Sequence, residues 1–121
     1  MSGLMYPGGN GKIKGVTRLA RGGVGDNSYV GFNVTISDRK YKTFLLFIGQ
    51  TTNVNPSINL SSGNVTKFED LYFDGYSGGS HFTTNVGWLY LITNFKYPLT
   101  VKVDYNPQTY GNRNASLWGI Y

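Results

Sequence analysis

The sequence predicts an all-β protein, an antiparallel β-sandwich or jelly roll of about eight strands. Three observations carry that prediction. Helix builders are scarce: the 121-residue chain holds two Ala and one Glu, while Gly (17), Tyr (10), Asn and Thr abound, a balance suited to pleated, half-buried surfaces. Apolar and polar residues alternate at period two at Val30, Phe32, Val34 and Ile36, and again at Leu99, Val101 and Val103. That spacing turns one face of each segment inward and the other to water. Clusters of Gly, Asn, Asp, Ser and Pro recur at short intervals with no helical period between them, as turns between strands would.

Each element follows in order. Residues 1–11, with five Gly or Pro, predict a flexible N-terminal arm, and residues 12–121 a single sandwich domain. "KIKGVTRLAR" is a weak first strand around Ile13 and Val16, broken at Gly15, and "GGVGDN" is a turn. "YVGFNVTIS" is the cleanest strand. "YKTFLLFIG" is apolar on both faces across 44–48 and predicts a central strand covered on both sides. In "QTTNVNPSINLSSGN", Pro56 excludes a central strand and leaves edge pairing around Ile58 and Leu60. "VTKFEDLYF" is one strand, its alternation broken by Lys67, Glu69 and Tyr72. "DGYSGGS" is a flexible loop, "HFTTN" starts another strand, and "VGWLYLITN" is a second strongly apolar one. After Pro98 comes the alternating 99–103 segment, and "ASLWGIY" closes the chain.

Charge and cysteine usage narrow the function classes. Cysteine is absent, which excludes disulfides and thiolate metal sites. "MSGLMYPGGNGKIKG" has no apolar run of signal-peptide length, and no span approaches the ~20 apolar residues of a membrane helix. The expectation is a protein without a signal peptide and without membrane insertion. The net charge of +5 sits in the first third: residues 1–42 hold seven basic residues against Asp26 and Asp38, and the rest of the chain balances. Lys12, Lys14, Arg18 and Arg21 are therefore candidates for contacts with an acidic partner surface in an assembly. The competing interpretation is a solvated edge strand, where basic side chains discourage unwanted pairing.

Catalysis finds little to work with, and the expectation is that the protein is not an enzyme. The one histidine, His81, lies at a strand start. Glu69, Asp70 and Asp74 are the nearest approach to paired carboxylates, but adjacent Glu69 and Asp70 in a strand point to opposite faces. "GGNGKI" and "GGVGDN" lack the spacing of nucleotide-binding loops. A single-stranded nucleic acid would need rings on a basic β surface, and Tyr29, Tyr41 and Phe44 do lie near Arg39, Lys40 and Lys42.

"GWLYLITNFKYPLTVKVDYNPQTYGNRNAS" resembles the C-terminal part of the calcium-dependent galactose-binding lectins of bacteria, over about a third of this chain. The resemblance implies a β-sandwich with calcium and sugar held on an Asn- and Asp-rich loop. It can be laid down in two ways. One matches residues 87–94 to the strand entering that loop and makes Asn94 a loop residue, with Phe95 and Lys96 where acids are wanted. The other matches Pro107, Thr109, Tyr110, Gly111 and Asn112 to the loop itself, so that Thr109 and Asn112 resemble metal and sugar ligands. Tyr105 then stands where the family has a ligating Asp, and Arg113 where it has a second Asn. The carbohydrate-binding residues so implied are Asp104, Thr109, Tyr110 and Asn112. Asp104 is the stretch's only acid, whereas calcium wants six to eight oxygens with negative charge among them. The alternative at this loop is a turn set by Pro107 and Gly111.

The composition, low in charge and rich in Tyr, Asn, Thr and Gly, also resembles that of small structural proteins of tailed phages. That resemblance implies a non-catalytic component of the virion surface, such as a capsid decoration, spike or tail protein, made in the host cytoplasm. It would bind protein partners in a symmetric assembly, as a homo-oligomer, with no cofactor. A free lectin, with calcium as the one cofactor it would take, is the alternative. A single-stranded nucleic-acid-binding domain is the second.

Overall fold

The computed structural model describes residues 11–24, 32–50, 56–104 and 113–121. They form eight antiparallel strands in two sheets: β1 (Val16–Val24), β2 (Phe32–Ile36), β3 (Thr43–Gln50), β4 (Ser57–Leu60), β5 (Asn64–Ser77), β6 (Ser80–Thr93), β7 (Leu99–Asp104) and β8 (Arg113–Ile120). One sheet has the order β1-β8-β3-β6-β5 and the other β2-β7-β4. The pairs β1/β8, β2/β7 and β3/β6 nest inside one another along the chain. The nesting resembles that of a jelly roll, in which one long folded ribbon wraps into two facing sheets. At the ribbon's tip β5 pairs with β6 rather than with β4, which leaves a sheet of five strands facing one of three.

The core lies between the sheets. Phe44, Leu46 and Ile48 from β3, Trp88 and Ile92 from β6, and Ala115 and Leu117 from β8 meet Phe32, Ile36, Leu99, Val101 and Val103 from the smaller sheet. Burial of each Val, Leu, Ile or Phe among them contributes about 1.5–3 kcal/mol. The period-two expectation for β2 and β7 holds: Phe32, Ile36, Leu99, Val101 and Val103 are buried, and Val34 packs against them half-buried. Val30 lies outside the described residues. Glycine sets the contact between strands at two places. A Cβ on Gly87 would stand 2.3 Å from the Ile48 carbonyl oxygen, and one on Gly119 would stand 2.4 Å from the buried Tyr41 ring.

Three expectations are corrected. β3 is central, as its apolar run predicts, but the smaller sheet covers only one of its faces; Leu45 and Phe47 point the other way and stay half-buried. "DGYSGGS" is not a loop. β5 runs on to Ser77, and the turn is Gly78-Gly79 alone, both at positive φ (58° and 82°), the two-residue form that matches strand twist. Gly75 misled because glycine weakens strand signals; here the Phe73 and Phe82 rings occupy the space where its side chain would be. The third correction concerns the first strand, which begins only after Gly15, at Val16. Gly15 itself exchanges backbone hydrogen bonds with Tyr121, tying the start of the sheet to its last residue. "HFTTN" and "VGWLYLITN" together form the single long strand β6.

Candidate functional site

Two surfaces stand out. The first is the outer face of the five-stranded sheet. Strand alternation sends Leu45 and Phe47 (β3), Leu89 and Leu91 (β6), and Trp118 (β8) to the side away from the core. β1 adds Val16, Arg18 and Arg21 to that side, because the bulge at Leu19 restores its alternation after one extra residue. A shallow cavity of about 520 Å³ opens here, lined by Val16, Arg18, Arg21, Leu45, Phe47, Leu89 and Trp118 together with Asn114 and Ser116. The Arg18 guanidinium stands 6.0 Å from the Trp118 ring centre. Asn114 Oδ1 is buried and makes no hydrogen bond, which is rare for an acceptor withdrawn from water.

The second surface is the far part of the β5–β6 hairpin. β3 pairs with β6 only as far as Gly87, so among the described strands residues 80–86 have β5 as their sole neighbour and extend about 24 Å as a two-stranded ribbon. A ribbon of two strands is marginal by itself. Its side chains are nonetheless large: Phe73 is 55% exposed, Tyr76 76% and Phe82 40%. Phe73 and Phe82 pair across one side, ring centres 6.1 Å apart over Gly75. Tyr76 meets His81 on the other side, ring centres 5.4 Å apart. By the alternation of β5, Phe73 shares its side with Glu69 and Leu71, so the Phe side continues the outer sheet face.

The residues singled out in the sequence fall as follows. Lys12 and Lys14 are exposed ahead of β1, whereas Arg18 and Arg21 belong to the edge strand itself. Asp104 ends β7 beside Lys102, 3.6 Å away. Asn94 is exposed in a left-handed turn after β6 (φ 57°), where Asn is one of the few residues tolerated. Phe95 packs on the core. Thr109, Tyr110 and Asn112 lie outside the described residues, as does Tyr29. Tyr41 and Phe44, candidates for base stacking, are 5% and 0% exposed and offer no ring face. Tyr41 is also held in place, since the Tyr97 hydroxyl donates to its carbonyl. Burial, with Asp38 adding to it, pushes the Tyr97 hydroxyl up to about 12. A second cavity of about 480 Å³ lies beside this contact, lined by Arg39, Tyr41, Lys42, Asn94, Phe95 and Tyr97.

The carboxylates are dispersed. Glu69 sits on the outer face opposite Leu89, and Asp70 on the inner side opposite Trp88, 3.1 Å from Lys67. Asp74 accepts from the Thr83 hydroxyl and lies 3.7 Å from His81. The carboxylate thus stands between hydroxyl and imidazole, the wrong order for activating a nucleophile through histidine. Among the described residues, no three His, Asp or Glu side chains gather as a metal site would need, and no helix is long and apolar enough to cross a membrane. No protein-family model matches the chain, and neither a curated protein nor a solved structure is significantly similar to it.

Proposed function

We propose that this chain is a non-catalytic structural subunit of a symmetric assembly, a surface component of a viral particle such as a capsid decoration, spike or tail protein. The observation that carries the reading is the projecting hairpin. Paired aromatic rings stand in water on a ribbon too thin to bury them, and a neighbouring subunit would cover them and stabilise the ribbon. The jelly-roll-like nesting supports it by analogy, because viral capsid domains commonly use that architecture. The test is sedimentation and electron microscopy of the full chain across concentration. Discrete oligomers are expected, and Phe73→Ser with Phe82→Ser should dissolve the higher ones while the sandwich stays folded. A wild-type chain that remains a monomer at about 100 μM would overturn the proposal.

A second reading, a carbohydrate-binding lectin, is favoured by the unpaired Asn114 Oδ1 in a cavity that also holds the Trp118 ring. A sugar hydroxyl would satisfy that acceptor, and indole faces stack on sugar rings; lectins, too, use jelly rolls. Binding on a glycan array, with and without calcium, lost on Asn114→Ala or Trp118→Ala, supports this reading. An array without signal removes it.

A further inference from the structure

We propose that the outer face of the five-stranded sheet packs against the same face of a second copy of this chain, around a two-fold axis parallel to β3. The inference rests on the assembly reading and specifies its partner. Residues 44–48 of β3 and 88–92 of β6 are apolar or aromatic at every position. Runs of that kind belong to strands buried on both faces, yet among the described residues a facing sheet stands on one side only. A second copy of this chain would cover the other side.

Charge identifies the cover. One row of side chains crosses the outer face from edge to edge: Arg21 on β1, Ser116 on β8, Phe47 on β3, Leu89 on β6 and Glu69 on β5. A cation stands at one end, an anion at the other, and apolar groups lie between. A half-turn about an axis parallel to β3 exchanges the two edges and keeps the row level. Arg21 of each copy then arrives over Glu69 of the other, with Phe47 over Phe47 at the axis. The contact is self-complementary, as a two-fold interface must be. The other in-plane axis, perpendicular to the strands, sets arginine against arginine. Among the described residues, neither Arg21 nor Glu69 makes an ion pair inside the subunit. Four strand spacings, about 19 Å, keep them apart there.

The area is sufficient. Five strands about 24 Å across and six residues about 20 Å along give about 480 Å² per copy, roughly 1,000 Å² in total, the lower bound for a specific interface. Facing sheets about 10 Å apart accommodate side chains of this size.

The test uses two exposed substitutions in the full chain. Arg21→Glu gives a subunit with acids at both edges, and Glu69→Arg one with bases at both edges. Each alone should raise the dimer Kd at least about tenfold, because both inter-subunit contacts become repulsive. An equimolar mixture should regain dimers, all of them mixed, by native mass spectrometry and light scattering. No contact within one subunit can give that rescue. Single variants as dimeric as wild type would overturn the face-to-face pairing and leave the assembly reading standing. Monomeric wild type would sink both. Singles that fail to dimerise but are not rescued on mixing would also overturn it, and would point to a different occupant of this face.

Discussion

Leu46 and Phe47 are neighbours on β3 and face opposite ways. Leu46 is fully buried against the smaller sheet; Phe47 is half-buried on the opposite face, where the described residues form no second layer. The sequence treats the two faces alike, since both are apolar across the middle strands. The fold does not, because three strands can cover only one face of five. An apolar run on both faces of a strand therefore does not say what covers each face, and the strand order shows the smaller sheet covering one of them.

The largest expected effect is on the inner face. Leu46→Ala removes a fully buried side chain and leaves a cavity, and should cost about 3 kcal/mol of unfolding free energy in denaturant titration. A loss under about 1 kcal/mol would mean that the inner face is not the core. Gly119→Ala tests the same face by overfilling it. The added methyl meets the Tyr41 ring at 2.4 Å, and Tyr41 is buried and hydrogen-bonded to Tyr97, so it gives way only by disturbing its neighbours. A loss of about 1–3 kcal/mol is expected. On the outer face the pattern inverts. Phe47→Ser should cost less monomer stability than Leu46→Ala, about 1–2 kcal/mol, because the ring is already partly in water, yet should abolish self-association measured by light scattering. An equal effect of Phe47→Ser and Leu46→Ala on unfolding would erase the distinction between the faces.

How legible was this in the sequence? The strands of the smaller sheet were, because one wet and one dry face write a period of two, as Val101 and Val103 against Thr100 and Lys102 do. The position of β3 was also legible, but not that the smaller sheet covers only one of its faces, since residues 44–48 are apolar on both. The hairpin was missed for a local reason. Gly75 breaks the strand signal in "DGYSGGS", and the signal that restores it, Phe82 placed across from Gly75, is a cross-strand pairing visible only once register is known. Arg21 and Glu69 are 48 positions apart in the chain, and only the strand order sets them at opposite ends of one row. The lectin-like loop residues Thr109, Tyr110 and Asn112 fall outside the described residues.

The smallest effect separates the faces by their polar fastenings. At the rim of the inner face the Tyr97 hydroxyl donates to the Tyr41 carbonyl, and burial raises that hydroxyl to about 12 from its ordinary value near 10. The folded state thus holds this proton more tightly than the unfolded chain does. By linkage, the resulting stability is complete below pH 10 and is lost as pH rises from 10 through about 12. Tyr90, also raised by burial, contributes a loss of the same sign. Tyr97→Phe should therefore cost about 1 kcal/mol near neutral pH through the lost hydrogen bond, and its stability should fall less steeply than wild type above pH 10. Self-association through the outer face should be untouched, because Tyr97 does not line that face. If Tyr97→Phe weakens dimerisation as much as Phe47→Ser does, the inner rim and the outer face are not independent.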